Sequence, residues 1–222
     1  MKLRSAILII AIIIFVDQAL KVWIKTSFPF GHVTNVLGLH WFQLYFIENE
    51  GMAWGWKLGG EWGKMLLTLF RLVAVIFGTW YIGKIVREQY TKGFIICAAL
   101  IYAGALGNLI DSLFYGLIFE ETTYTQVARI FPPESYGTFL HGKVVDMLHF
   151  PIIESNFPQW MPFVGGEHFV FFSPIFNIAD AAISVGVITL LLFQKRLVRK
   201  REEVQGTTVT TSSQVSDGAQ VM

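Results

Sequence analysis

Four long apolar stretches constrain this chain more than any other feature. They run roughly Ala6–Ile24, Met65–Val86, Gly93–Leu117 and Ile175–Phe193. A helix of about 20 mostly apolar residues crosses about 30 Å of hydrocarbon. Backbone polar groups in lipid must be satisfied inside the segment, so each stretch is expected to be helical. Only 15% of the 222 residues are charged, well below the roughly 25% of soluble domains. Mean hydropathy is +0.53. The expected fold is a mainly α membrane protein, a four-transmembrane-helix bundle with a small β-rich element on the outer surface.

The flanking charges predict orientation. Lys2 and Arg4 precede the first span, Lys84, Arg87 and Lys92 fill the second connection, and Lys195, Arg196, Arg199, Lys200 and Arg201 follow the fourth. Four spans put these three regions on one side, which the positive-inside rule makes cytoplasmic. Both termini are therefore expected there. The first span is not expected to be a cleaved leader. It ends in Asp17, Gln18, Lys21 and Trp23 with no small-residue cleavage site.

The outer connections are about 26–64 and 118–174. Leu37–Ile47 alternates roughly and predicts extended chain, and His168–Phe172 predicts a further strand. Phe131-Pro132-Pro133 argues against a continuous helix in the second connection. Residues 1–200 are read as one membrane-embedded domain, and 201–222 as a polar, disordered cytoplasmic tail. The single Cys97 allows no internal disulfide and reads as a small buried residue. Net charge is +1, which gives no reason to expect nucleic acid.

Polar residues inside spans are costly and mark function or tight packing. Alternating helix direction puts Asp17 and Lys21, Asn108 and Asp111, and Asn177 and Asp180 all near the outer ends of their spans. Each pair is spaced i,i+3 or i,i+4 and shares a helix face. Asp146 sits among Val144, Val145, Met147 and Leu148 in a segment expected to dip to the membrane surface and to move. Gly104, Ala105 and Gly107 would let another helix approach the third span. Simpler readings exist: Asp17–Lys21 as a structural ion pair, and Asn108 with Asp111 as interhelical hydrogen-bond glue. Asp180 has no basic neighbour within a turn. Five histidines show no ligand spacing, so no metal is expected.

Five motifs in order resemble the lipoprotein signal peptidases (signal peptidase II), which are intramembrane aspartyl proteases. They are VDQALK, ENEGMAWG, GALGNLIDS, GKVVDML and FNIADAAISVG. The resemblance implies a catalytic pair, Asp146 and Asp180. It implies that Asn49, Asn108 and Asn177 line the site and hold substrate backbone or the pair; Gly51, Asp111, Asp17 and Lys21 are further candidates for binding substrate or supporting the site, and Ala53 and Trp54 complete the second motif. It implies diacylglyceryl-modified prolipoprotein substrates cut before the lipidated cysteine, no cofactor, and globomycin-type inhibitors. The enzyme is expected to be a monomer among membrane lipids, in a bacterial cytoplasmic (inner) membrane, with its site near the outer leaflet. One departure is Ser112, where the family usually carries Arg. Another is the length of the stretches on either side of Asp146. Arg71, about two turns into the second span, is expected to make up the lost charge by pairing with Asp111 or Asp17, unless it snorkels to the headgroups. The rival reading is an ion- or proton-coupled carrier. A carrier would need polar groups through the whole depth, and the inner halves of the first, third and fourth spans are almost wholly apolar. A non-catalytic scaffold would not need two aspartates at one level.

Overall fold

The computed structural model describes residues 1–49, 60–171 and 174–199. Gly51, Ala53 and Trp54, and the tail from Lys200 onward, lie outside the described residues. Four helices are long and apolar enough to cross a membrane. They are α1 (Leu3–Ser27), α2 (Gly60–Arg87), α3 (Lys92–Ile118) and α4 (Ile178–Leu197). Their outward faces carry exposed Phe15, Phe70, Val73, Leu191 and Leu192, as a lipid-facing surface should. At the bundle end opposite the sheet, Thr91 ahead of α3 donates its backbone N–H to Arg199 O just past α4, 3.1 Å away.

Small residues set how closely α3 and α4 pack. A Cβ on Gly104 would lie 2.2 Å from Ala179 O, and one on Gly107 would lie 2.9 Å from Asp17 Oδ2. Hydrophobic burial does not drive helices together in lipid, so close backbone approach and polar contacts must do it.

The outer connections form two small sheets. The first has the order β1–β2–β3–β6, from Val33–Asn35, Gln43–Asn49, Val144–His149 and Ile175–Phe176, all antiparallel. The second is the hairpin β4 (Ile153–Asn156) and β5 (His168–Phe171). The extended chain expected over Leu37–Ile47 begins later, because residues 36–38 form a tight turn with Leu37 at φ 52°. The fourth span also begins later than Ile175. Ile175–Phe176 pairs with β3, and Asn177 then caps α4.

The segment around Asp146 is not the movable loop the sequence suggested. It is β3, an interior strand hydrogen-bonded on both sides, with all six residues buried. Val145 and Met147 pack into a core with Ile24, Phe46, Tyr115 and Phe119. Fully burying such a side chain stabilises by about 1.5–3 kcal/mol. This core fastens the sheet to the C-terminal ends of α1 and α3.

Candidate active site

The site is built around Lys21, which is completely buried. Its ammonium meets three acceptors, one for each hydrogen: Asp17 Oδ2 at 2.9 Å, Asp111 Oδ2 at 2.8 Å and Asn108 Oδ1 at 2.9 Å. A lone buried ammonium would be very costly, and three acceptors satisfy it. The partner that Asp111 lacks on its own helix therefore comes from α1. Gln18, which the sequence reading passed over, joins the cluster. It donates to Asp111 Oδ1 at 2.8 Å and Asp17 Oδ2 at 3.1 Å, and accepts from the Tyr115 hydroxyl at 3.2 Å.

This cluster holds the elements that carry the other aspartates. Asp17 Oδ1 accepts the Ala179 N–H at 2.9 Å, in the first turn of α4, where backbone donors lack helical partners. Asp111 Oδ2 accepts the Val145 N–H of β3 at 3.4 Å. One buried ion group thus fixes both the start of α4 and the start of β3.

Above it, three asparagines hold Asp146 and Asp180 in place. Asn177 is the N-cap of α4 in a reciprocal capping box. Its Oδ1 accepts from Asp180 N at 2.8 Å, and Asp180 Oδ2 accepts from Asn177 N at 3.4 Å. The Asn177 Nδ2 donates to Asp146 Oδ1 at 2.7 Å and to Asn108 Oδ1 at 3.1 Å. Asn108 Nδ2 donates to Asp180 Oδ1 at 2.7 Å. Asn49, at the end of β2, donates to Asp146 Oδ2 at 3.3 Å. The two aspartates are therefore joined through a single residue, Asn177. Burial pushes the Asp146 carboxyl up to about 7, and the Asp180 charge adds to this. Hydrogen bonds from Asn49 and Asn177 and the Lys21 charge oppose the rise.

Arg71 meets the site through Ser112. Its guanidinium donates to Ser112 Oγ at 3.0 Å, and Ser112 donates in turn to Asn108 O at 2.9 Å. The expected pairing with Asp111 or Asp17 differs from this arrangement, because the Lys21 ammonium already sits between those two carboxylates. Arg71 instead lies within electrostatic reach of Asp180, Asp111 and Asp146. α2 begins five residues earlier than Met65, so Arg71 is farther from its outer end than expected. Among the described residues, every buried side-chain nitrogen or oxygen has a hydrogen-bond partner.

Known proteins share this plan. Residues 9–195 match the family described as Signal peptidase (SPase) II. A lipoprotein signal peptidase of Porphyromonas gingivalis is 47% identical over 192 residues, covering 86% of this chain and 82% of that protein. One from Amoebophilus asiaticus is 32% identical over 204 residues, covering 91% and 82%. A bacterial membrane enzyme solved by the in meso method aligns with a TM-score of 0.58 at 24% identity, over 87% of this chain and 94% of that one. That last likeness speaks to the fold alone. Together the matches define a membrane protease. The chain belongs to the signal peptidase II family. They give no support to the carrier alternative.

Proposed function

We propose that this chain removes the signal peptide from diacylglyceryl-modified prolipoproteins by aspartic proteolysis, cutting before the lipidated cysteine, with Asp146 and Asp180 as the catalytic pair. The observation that carries the reading is the buried Asp146 carboxyl, held at about 7 and tied to Asp180 through Asn177. A buried carboxyl beside a second carboxylate favours one shared proton near neutral pH. That proton belongs to the pair rather than to one member.

The ionised carboxylate takes a proton from the attacking water. The neutral one donates to the developing oxyanion, and a proton then passes to the leaving amine. Asn49, Asn108 and Asn177 orient the two carboxylates and offer amide groups to the substrate backbone. The Lys21 cluster keeps α4 and β3 at fixed separation. Lys2, Arg4, Lys84, Arg87 and Lys92 mark the cytoplasmic side, which puts both termini inside and the aspartates near the outer leaflet. Acyl chains of the substrate would lie against the apolar helix faces, so the peptide need not leave the bilayer to be cut.

The test is cleavage of a lipid-modified prolipoprotein by purified full-length enzyme in detergent. Asp146→Asn and Asp180→Asn keep shape and should each lower turnover by at least about a thousandfold. Retained turnover in either folded variant overturns the assignment.

A further inference from the structure

A second buried ion cluster lies one helical turn farther along α1. Lys25 is completely buried and pairs with Glu48, whose side chain is only 3% exposed. Thr122 joins both: its hydroxyl lies 2.9 Å from Lys25 Nζ and 3.0 Å from Glu48 Oε1. The Lys25 ammonium also stands over the rings of Phe119 and Tyr136, at 5.4 and 5.0 Å. Lys143, immediately before β3, reaches Glu48 Oε2 at 3.7 Å and Glu121 at 2.7 Å. Its backbone N–H donates to the Tyr136 hydroxyl at 2.7 Å. The cluster ties α1, the end of β2 and the start of β3 together.

We propose that Glu48 is a positioning residue: its buried pairing with Lys25 locks the register of β2 on β3 and thereby aims the Asn49 amide at Asp146. The inference rests on the reading of Asp146 as catalytic. In the ladder, Glu48 stands opposite Val145 and Asn49 opposite Val144. Successive residues of a strand point to opposite faces. Glu48 therefore shares the core face of Val145 and Met147, while Asn49 shares the face of Asp146. A slip of one residue would exchange them. It would take a carboxylate away from Lys25 and set it beside Asp146, against the negative charge that the aspartate pair already carries. The lock matters because, among the described residues, Asn49↔Val144 is the last pair of this ladder, and strand ends are where pairing opens first. A charge pair this buried cannot be half made, since leaving either partner alone is strongly unfavourable.

The prediction separates positioning from stapling. Glu48→Gln, Asn49→Ala and the double variant are compared as a cycle in full-length enzyme in detergent, well below each variant's unfolding temperature. Each single change should lower kcat about tenfold or more with KM within about twofold, the size expected when a hydrogen bond to a charged group is lost. The double variant should be no slower than Asn49→Ala alone, because both remove the same contact. The Asn49 hydrogen bond favours the ionised carboxyl. Its loss should move the limb of the kcat–pH profile that belongs to Asp146 to higher pH in both singles. The other groups facing Asp146 are Asp180 and Asn177 at the start of α4, Lys21 on α1, Asp111 on α3 through Val145, and Arg71 on α2. None of them is altered. Should Glu48→Gln fail to fold, Thr122→Val removes only the shared hydroxyl and should show the same coupling to Asn49 on a smaller scale. Multiplying losses, or a lowered unfolding temperature with unchanged kcat and pH profile, would overturn the proposal. Asp146→Asn and Asp180→Asn run beside the cycle: turnover in either sinks the catalytic pair itself, whereas dead aspartate variants with a multiplicative cycle sink only the role of Glu48.

Discussion

Lys21 and Lys25 are one turn apart on the same helix and equally buried, yet different parts of the chain neutralise them. Lys21 is held by Asp17, Asp111 and Asn108, all on spans. Lys25 is held by Glu48 and Thr122, both from the outer connections. Inside the spans, a polar group finds its partner on a neighbouring helix at the same depth, so the arrangement is rigid and local. Outside, the partner must be delivered by a strand and a loop. The first cluster is part of the bundle. The second is a joint between the bundle and the sheet above it.

The largest expected effect tests that distinction. Lys21→Met leaves Asp17 and Asp111 facing each other without their shared ammonium. It should cost about 3–5 kcal/mol of stability and abolish cleavage, because Ala179 and Val145 hang on those carboxylates. Lys25→Met should cost less, since Glu48 keeps Thr122 and Lys143. Thermal unfolding and cleavage assays compare the two, and equal damage would break the comparison.

The next effect concerns Asp146. Burial pushes the Asp146 carboxyl up to about 7 in the folded protein, against about 3.9 when unfolded. Between those values the native state binds more protons. Its contribution to stability is therefore full below about pH 4 and lost as pH rises through about 7. The unfolding midpoint should fall over that window, and Asp146→Asn should flatten the slope.

Smaller still is the cost of spreading the bundle. Gly104→Ala forces a Cβ to within 2.2 Å of Ala179 O, next to Asp180. Overpacking of this kind costs about 1–3 kcal/mol, and cleavage should fall with it. Gly83→Ala meets nothing within 4 Å. It should be neutral or stabilising, because alanine is the better helix former. The smallest effect marks the far limit. Arg129 makes a two-pronged contact with Glu120 at 2.7 and 2.9 Å, but in the open. Arg129→Ala should leave the unfolding temperature unchanged.

Much of the bundle is legible in the sequence because lipid imposes a simple rule, long apolar runs with costly polar exceptions. Asp17, Lys21, Asn108, Asp111, Asn177 and Asp180 stand out against that background and do converge. Asn-x-x-Asp at 177–180 also reads as a capping box, which explains why α4 starts at Ile178 and not three residues earlier. Helical spacing could not show that Lys21 serves Asp111, since spacing reports neighbours on one helix and not across two. Strand pairing is still less local. Glu48 meets Val145 across nearly a hundred residues, and no local sequence pattern announces that register. Lys25 was hidden for a related reason: near the end of a span it looks like an ordinary interfacial lysine until Glu48 and Thr122 are placed beside it.

The capping box has a consequence for how the protein is made. Chains emerge and fold from the N-terminus, so α1, α3 and β3 precede α4. Asp146 and Asn108 must therefore wait for Asn177 and Asp180, which arrive together on the last span. Asp180 is placed by the same contacts that start its helix, so insertion of that span and completion of the proposed site are one event. On that reading, a nascent chain carries half of the proposed pair and is expected to be inert. A peptidase embedded among unprocessed precursors and its own unfinished copies would gain from being unable to cut until its final helix is seated.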